Sequence, residues 1–81
     1  MKEIELYTAE NPFQLHAYRK QELALLYFPD EGKNEATRNL RRWILQCPHL
    51  SDKLEEEGYR PRRKFYSRRE VELIIEYLGL P

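Results

Sequence analysis

The chain has 81 residues, in which 14 lysines and arginines balance 14 aspartates and glutamates, so its formal net charge is zero. This length predicts a single domain, and zero net charge argues against a protein that coats nucleic acid non-specifically. The single cysteine excludes an intrachain disulfide and a cysteine-rich zinc site, and no apolar run reaches the roughly 18 residues of a membrane span.

The N-terminal stretch divides into a tail and the start of the folded part. Residues 1–12 are polar and end at an Asn-Pro pair, which predicts a flexible tail ahead of a single domain over residues 13–81. In the segment that follows, Phe13, Leu15 and Ala17 alternate with polar residues, a period typical of a short, half-buried strand.

Two helices are predicted next. The first runs from about Lys20 to Phe28 and is apolar at every angle around its axis, which indicates a central helix covered on several sides. Pro29 ends it, because the residue before a proline is disfavoured in helical geometry. The second helix runs from Glu35 to Cys47, with Asn34 as its expected N-cap. Its predicted apolar stripe consists of Ala36, Leu40, Trp43, Ile44 and Cys47.

The third and fourth helices have clear end signals. Pro48 suits the first turn of a short third helix, and Gly58 suits the C-terminal cap of that helix. Ser67 and Glu70 form a capping box, in which each side chain accepts a free backbone N–H of the other residue, at the start of the fourth helix. This last helix has a broad apolar face and ends at Gly79.

A faint internal repeat relates the segments "AYRKQELALL" and "FYSRREVELI", which align without gaps and match Tyr18 with Tyr66 and Glu22 with Glu70. The repeat suggests that the extended pieces "LHAY" and "KFYS" pair with each other. The alternative is that any extended segment before a capped helix shows this pattern. The expected fold is a compact, mainly α domain of four helices with a helix-turn-helix-like core, and with two short strands if those pieces pair. Its predicted core consists of Leu23, Leu26, Tyr27, Leu40, Trp43, Ile44, Leu54, Val71, Ile74, Ile75 and Leu78.

Four segments, "AYRKQELALLYFPDEG", "LRRWILQCPHL", "LEEEGY" and "VELIIEYLGLP", resemble a domain-of-unknown-function family of short bacterial proteins that is common in gut anaerobes. The resemblance extends from Phe13 to Pro81 and supports these domain boundaries. Arg19 stands where the family has a capping serine, so the first helix should be less well capped here. Ser67-Arg68 replaces the family's Thr-Pro, which keeps a capping residue. The family has no established activity to carry over.

No catalytic, cofactor or metal site is expected. Cys47 lies on an apolar stripe and His49 opens a helix, so a small buried side chain and a solvated one are their expected roles. The histidines and the cysteine lack metal-ligand spacing, and Glu55–Glu57 are consecutive rather than paired across a site. The chain is therefore expected to be non-enzymatic. Acids stand where a signal peptide has its apolar run, which favours a cytoplasmic protein away from membranes.

The segment from Arg60 to Arg69 has six basic residues and no acid. A turn of five or six residues joins the first two helices, which is longer than the roughly 3–4 residues usual in a helix-turn-helix. The second helix would present its arginines outward, as a recognition helix does in the major groove of DNA. The favoured hypothesis is a small helix-turn-helix-like nucleic-acid-binding or regulatory protein, with DNA as its partner. The candidate residues are Arg38, Arg41, Arg42, Arg60, Arg62, Arg63, Lys64, Arg68 and Arg69.

The competing hypothesis is a protein–protein interaction adaptor with no nucleic-acid role. Leu45 lies in the middle of the arginine face of the second helix, where an exposed leucine would suit an acidic partner or a second copy of the chain. Two simpler explanations stay open. The last helix could cover Leu45, and the arginines could be ordinary solvated side chains that neighbouring acids neutralise.

Overall fold

A computed structural model describes residues 13–81, and the predicted flexible tail at 1–12 lies outside the described residues. The elements, in chain order, are β1 (Tyr18–Arg19), α1 (Lys20–Tyr27), α2 (Lys33–Leu45), α3 (Pro48–Glu56), β2 (Phe65–Tyr66) and α4 (Arg68–Leu78). Helices make up 59% of the described part, which confirms the mainly α class with four helices and a small sheet.

The two strands pair in the way that the internal repeat suggests. β1 and β2 are antiparallel, with Tyr18 opposite Tyr66 and Arg19 opposite Phe65. The tyrosines that the repeat aligns therefore face each other across the sheet. This pairing brings the start of α1 beside the segment that precedes α4, although more than 40 residues separate them.

The strand predicted over Phe13–Tyr18 forms only at its last residue, because residues 13–17 are irregular and the sheet begins at Tyr18. Phe13 is buried, but Ala17 is exposed, so the alternation of apolar residues does not mark one face of a sheet. Phe13 is instead held by stacking on Tyr18, with 5.5 Å between the ring centroids.

The limits of α2 differ from the prediction at both ends. Gly32 is the N-cap, and its carbonyl oxygen accepts the N–H of Ala36 at 2.8 Å, so Asn34 lies inside the helix and is not the cap. The helix also stops at Leu45, two residues early. Cys47 is extended, with φ −116° and ψ 90°, because Pro48 follows it and disfavours helical geometry there.

The other helix ends follow the sequence signals. α1 stops before Pro29, and Pro48 occupies the first turn of α3. Gly58 has a φ of +87° after the end of α3, in the left-handed region that glycine adopts most readily. At the start of α4, Ser67 Oγ accepts the N–H of Glu70 at 3.2 Å and Glu70 Oε1 accepts the N–H of Ser67 at 2.8 Å, as the capping box predicts.

The core combines residues from all four helices with Phe13 and Tyr66. Its buried apolar residues are Phe13, Leu23, Ala24, Ala36, Leu40, Ile44, Leu50, Leu54, Tyr66, Val71, Leu73, Ile74 and Ile75. Seven of the predicted core residues are in this set, and Tyr27 and Leu78 are half-buried against it. The buried set also includes one carboxylate, that of Glu70.

The prediction is wrong for two core residues, because Leu26 is 43% exposed and Trp43 is 41% exposed. The description of α1 as a central helix is wrong for the same reason. α1 buries only Leu23 and Ala24 fully, because the remaining elements cover one side of this helix. Trp43 packs edge-on against Phe28, at 4.6 Å between ring centroids, on the outer side of the α1–α2 pair.

Candidate nucleic-acid interface

The basic segment between α3 and β2 forms a tight turn. The backbone N–H of Arg63 donates to the carbonyl oxygen of Arg60 at 3.1 Å, and Pro61 occupies the second position of this four-residue turn. Proline suits that position because its ring fixes the φ that such a turn needs. The turn places Arg62 at its outer corner, where the side chain is exposed.

Lys20, the first residue of α1, fastens this turn to the rest of the domain. Its Nζ donates to the hydroxyl of Tyr59 at 2.9 Å and to the carbonyl oxygen of Pro61 at 2.8 Å. The ammonium also lies 4.6 Å from the centroid of the Tyr59 ring, within the range of a cation–π contact. The start of α1 and the basic turn therefore form one surface.

Arg63 is an internal anchor and not a free cation. Its guanidinium pairs with the carboxylate of Glu70, whose side chain is only 1% exposed. The guanidinium also lies 4.7 Å from the centroid of the Phe65 ring. Because the same carboxylate caps the first turn of α4, this ion pair ties the basic turn to that helix.

Tyr66 forms the floor beneath the turn. Burial raises the pKa of its hydroxyl, and the neighbouring Tyr59 and Glu70 raise that pKa further, while Arg41 of α2 opposes them. Tyr59 stacks on Tyr66 with 5.9 Å between the ring centroids. The phenol of Tyr66 is thus a neutral packing group.

A concave surface of about 390 Å³, here called the basic groove, lies between the basic turn, the start of α1 and the middle of α2. Five of its side chains are cationic and none is acidic. Its lining residues are Arg19, Lys20, Gln21, Thr37, Pro61, Arg62, Arg63 and Lys64. Only Arg63 among these cations has an ion-pair partner within the described residues.

A second concavity of about 130 Å³, here called the apolar cleft, lies on the other side of Pro61. Its lining residues are Arg41, Ile44, Leu45, Ser51, Leu54, Glu55, Tyr59 and Pro61. Leu45 is 62% exposed, so α4 does not cover it. The two concavities share Pro61, and the α2 residues that line them, Thr37 and Arg41, are one helical turn apart.

The nine predicted nucleic-acid residues are not gathered at one place. Arg62, Arg63 and Lys64 line the basic groove, whereas Arg41 lines the apolar cleft. The remaining five are exposed on α2, on the turn or at the start of α4, outside the lining of either concavity: Arg38, Arg42, Arg60, Arg68 and Arg69.

Arg69, at the start of α4, is paired with two acids, one on its own helix and one at the end of α3. Its guanidinium lies 3.1 Å from Glu72 and 3.6 Å from Glu57, and the hydrogen bond to Glu72 raises the pKa of Arg69. The acidic run at the end of α3 therefore pairs with the basic segment, but within the described residues it does so only through Glu57 and Arg69. Within residues 13–81, ion pairs involve Arg63 and Arg69 alone among the nine candidates.

Sequence reasoning did not identify Arg19 and Lys20 as part of this surface. A signal was nevertheless present, because the predicted pairing of "LHAY" with "KFYS" brings the start of the first helix next to Lys64. The backbone N–H of Lys20 donates to the carbonyl oxygen of Lys64 at 3.0 Å, just beyond the paired strands. Following the predicted pairing two residues further along the chain would have added both cations to the basic turn.

Searches of the described part for other kinds of site found little. Within residues 13–81, no group of three or more His, Cys, Asp or Glu side chains could hold a metal ion. None of the helices there combines the length and the apolar character needed to cross a membrane.

Comparison with known families bears on the region that contains both concavities. A family model described as "Domain of unknown function (DUF4248)" matches residues 14–81. The chain belongs to this family. The match confirms the expected domain-of-unknown-function family over nearly the expected range, and it includes every residue of the basic groove and the apolar cleft. No match was found among curated proteins or among solved structures.

Proposed function

We propose that this protein binds nucleic acid through the basic groove and is non-enzymatic. The observation that carries the proposal is the convergence of four cations on one concavity whose lining contains no acid. They come from two segments distant in sequence, and none has an ion-pair partner within the described residues. Phosphate contacts from lysine and arginine supply most of the non-specific affinity for nucleic acid. The zero net charge of the chain does not oppose this, because the charge is concentrated locally.

The exposed face of α2 extends this surface. Arg38, Arg41 and Arg42 lie on a helix whose Thr37 lines the basic groove, so these arginines could reach further phosphates or base edges. The order of α1, a connecting segment over 28–32 and α2 is the basis for the helix-turn-helix-like, regulatory role that we include in the proposal. On the strength of the family resemblance, we also propose that the protein acts in the bacterial cytoplasm.

The test is a fluorescence-anisotropy titration with labelled DNA at several salt concentrations. The informative variant is Arg62→Ala/Lys64→Ala, because both side chains line the basic groove and neither has an ion-pair partner in the described residues. Arg63 stays unchanged because its ion pair with Glu70 supports the fold. The charge-matched control is Lys33→Ala/Lys53→Ala, whose side chains are exposed and line neither concavity.

Counterion release sets the expected size of the effect. Each phosphate contact contributes about 0.7–0.9 to the slope of log affinity against log salt, so losing two contacts should lower the slope by about 1.4–1.8. The control variant should keep the slope of the unmodified protein. Equal slopes for the groove variant and the control would remove the groove from the proposed function. No binding at low salt would remove the proposed function itself.

A second candidate function, a protein–protein interaction adaptor, is favoured by one observation. Leu45 is 62% exposed and stands at the rim of the apolar cleft, where a partner side chain or a second copy could cover it. Such an interface would respond weakly to salt. Sedimentation velocity tests self-association through this cleft: the unmodified protein would form a dimer that Leu45→Asp abolishes. A monomer at all concentrations would exclude the second copy as the occupant.

A further inference from the structure

The apolar cleft adjoins the basic groove but differs from it in character, because its lining combines apolar side chains with the carboxylate of Glu55. We propose that the nucleic acid is a single strand, and that the apolar cleft receives one of its bases while the basic groove holds neighbouring phosphates. This inference rests on the nucleic-acid binding in the proposed function, and it replaces docking of α2 in the major groove of a duplex with binding of a single strand.

The arrangement of the two concavities matches the repeat of a nucleic-acid strand. Every nucleotide presents a charged phosphate next to a flat, largely apolar base, so a strand needs adjoining sites of opposite character. Pro61 forms the boundary between the basic groove and the apolar cleft and lines both. Thr37 and Arg41, one turn apart on α2, give the two sites a common wall.

The walls of the cleft suit a base that has left the stack. Leu45 is 62% exposed, which is unfavourable in water, and it faces a concavity also lined by Leu54 and Tyr59. A base inserted there would cover the leucine and exchange water for apolar contact. In a duplex the base faces are stacked on one another, so only a single strand presents a face to such a cleft.

The polar groups of the cleft favour a base over a phosphate. Glu55 lines the cleft, and its carboxylate would repel a phosphate but can accept hydrogen bonds from the amino group of a base. Arg41 and Ser51 add donors on the same lining, which can reach the oxygen and nitrogen acceptors of a base edge. The lining of the basic groove contains no acid, so the groove favours a phosphate over a base.

The test uses four probes of equal length with the full chain. They are a non-self-complementary DNA strand, its RNA counterpart, an abasic DNA strand with the same phosphates, and the blunt DNA duplex. Anisotropy at one moderate salt concentration should give tighter binding of a base-containing strand than of the abasic strand, by about 5- to 100-fold for each base held. Tighter binding of either the DNA strand or the RNA strand than of the abasic strand supports the proposal. The difference in affinity between the DNA and RNA strands shows which sugar backbone the protein prefers.

Leu45→Ser is the variant that separates the cleft from the groove. It should reduce the preference for the base-containing strand over the abasic one, while the salt slope stays unchanged. Leu26→Ser is the matched control, because Leu26 is also a partly exposed helical leucine but lies outside both concavities. Circular dichroism would check that both variants keep their helices.

The outcomes also distinguish this inference from the proposed function. Equal affinity for the strand and the abasic probe, with both lost in Arg62→Ala/Lys64→Ala, would leave phosphate binding in place and overturn the base site. Tighter binding of the duplex than of the single strand would overturn it too, and would favour α2 in the major groove. An unchanged base preference in Leu45→Ser would overturn the assignment to the cleft. Absence of binding to all four probes at low salt would overturn both proposals.

Discussion

Replacing Glu70 with alanine tests how the basic turn is held to the domain. The carboxylate of Glu70 is 1% exposed, accepts the backbone N–H of Ser67 at 2.8 Å and pairs with the guanidinium of Arg63. Glu70→Ala removes the capping bond, at about 1 kcal/mol, and leaves Arg63 without its counter-charge. Breaking a fully buried ion pair costs about 3–5 kcal/mol. The cost should be lower here, because the Arg63 side chain is 27% exposed and water can solvate the unpaired guanidinium.

The expected loss in the free energy of unfolding is therefore about 2–4 kcal/mol. A domain of this length has a total stability of about 4–12 kcal/mol, so the variant should still fold but unfold at clearly lower urea concentration. Equilibrium urea unfolding followed by circular dichroism measures the difference. The stability of Glu70→Gln should lie between that of the unmodified protein and that of Glu70→Ala. The amide oxygen of the glutamine can still accept the Ser67 N–H, but the negative charge is lost.

The internal repeat supplies the control. Glu22 occupies the position in α1 that Glu70 occupies in α4, and it accepts the backbone N–H of Arg19 at 3.1 Å. This carboxylate is exposed and has no ion pair within the described residues, so Glu22→Ala should cost only about 0.5–1 kcal/mol. If Glu70→Ala and Glu22→Ala lost the same stability, the Arg63–Glu70 pair would contribute nothing and the turn would be held by other contacts.

Three further predictions concern the fold. Leu40→Ala should cost about 2–5 kcal/mol because Leu40 is fully buried. Trp43→Ala should cost only about 1–2 kcal/mol because Trp43 is 41% exposed. Urea unfolding measures both losses, and equal losses would contradict the exposed position of Trp43. The raised pKa of Tyr66 means that the folded state keeps this proton when the unfolded state loses it, so stability is complete below about pH 10 and falls as the pH rises further. Tyr66→Phe should lose less stability over that alkaline range in thermal melts, and an identical loss would contradict the assignment. Gly58→Ala should cost about 1 kcal/mol, because Gly58 has a φ of +87°, which alanine adopts only with strain. Urea unfolding measures this loss, and an unchanged stability would contradict the backbone argument.

The helix limits could be predicted where a local signal determines them. Pro29, Gly58 and the Ser67–Glu70 box act within a few residues, and each ends or starts a helix where the sequence indicates. Burial was harder to predict, because periodicity shows which faces of a helix are apolar but not how many of them a neighbour covers. α1 is apolar all round, yet it is covered on one side, which leaves Leu26 partly exposed.

The candidate site could be predicted only in part, since it depends on contacts between distant segments. The basic turn was visible as a run of charge. Its two cationic neighbours, Arg19 in β1 and Lys20 in α1, were not, because they are about 40 residues away in sequence: Lys20 and Pro61, which form a hydrogen bond, are 41 residues apart. The role of Arg63 was hidden for a different reason. Its partner Glu70 already had a complete local explanation in the capping box, so nothing in the sequence pointed to a second contact.

Nuclear magnetic resonance titration of the isotopically labelled protein with a short DNA strand tests the central claim most directly. We expect the backbone amide signals of the basic groove, from Arg19 to Gln21, at Thr37 and from Arg62 to Lys64, to shift with added strand and to return with added salt. The signals of Glu76 to Leu78, at the end of α4 and outside the lining of both concavities, should stay in place. Shifts absent from the groove, or spread evenly over the domain, would contradict the account.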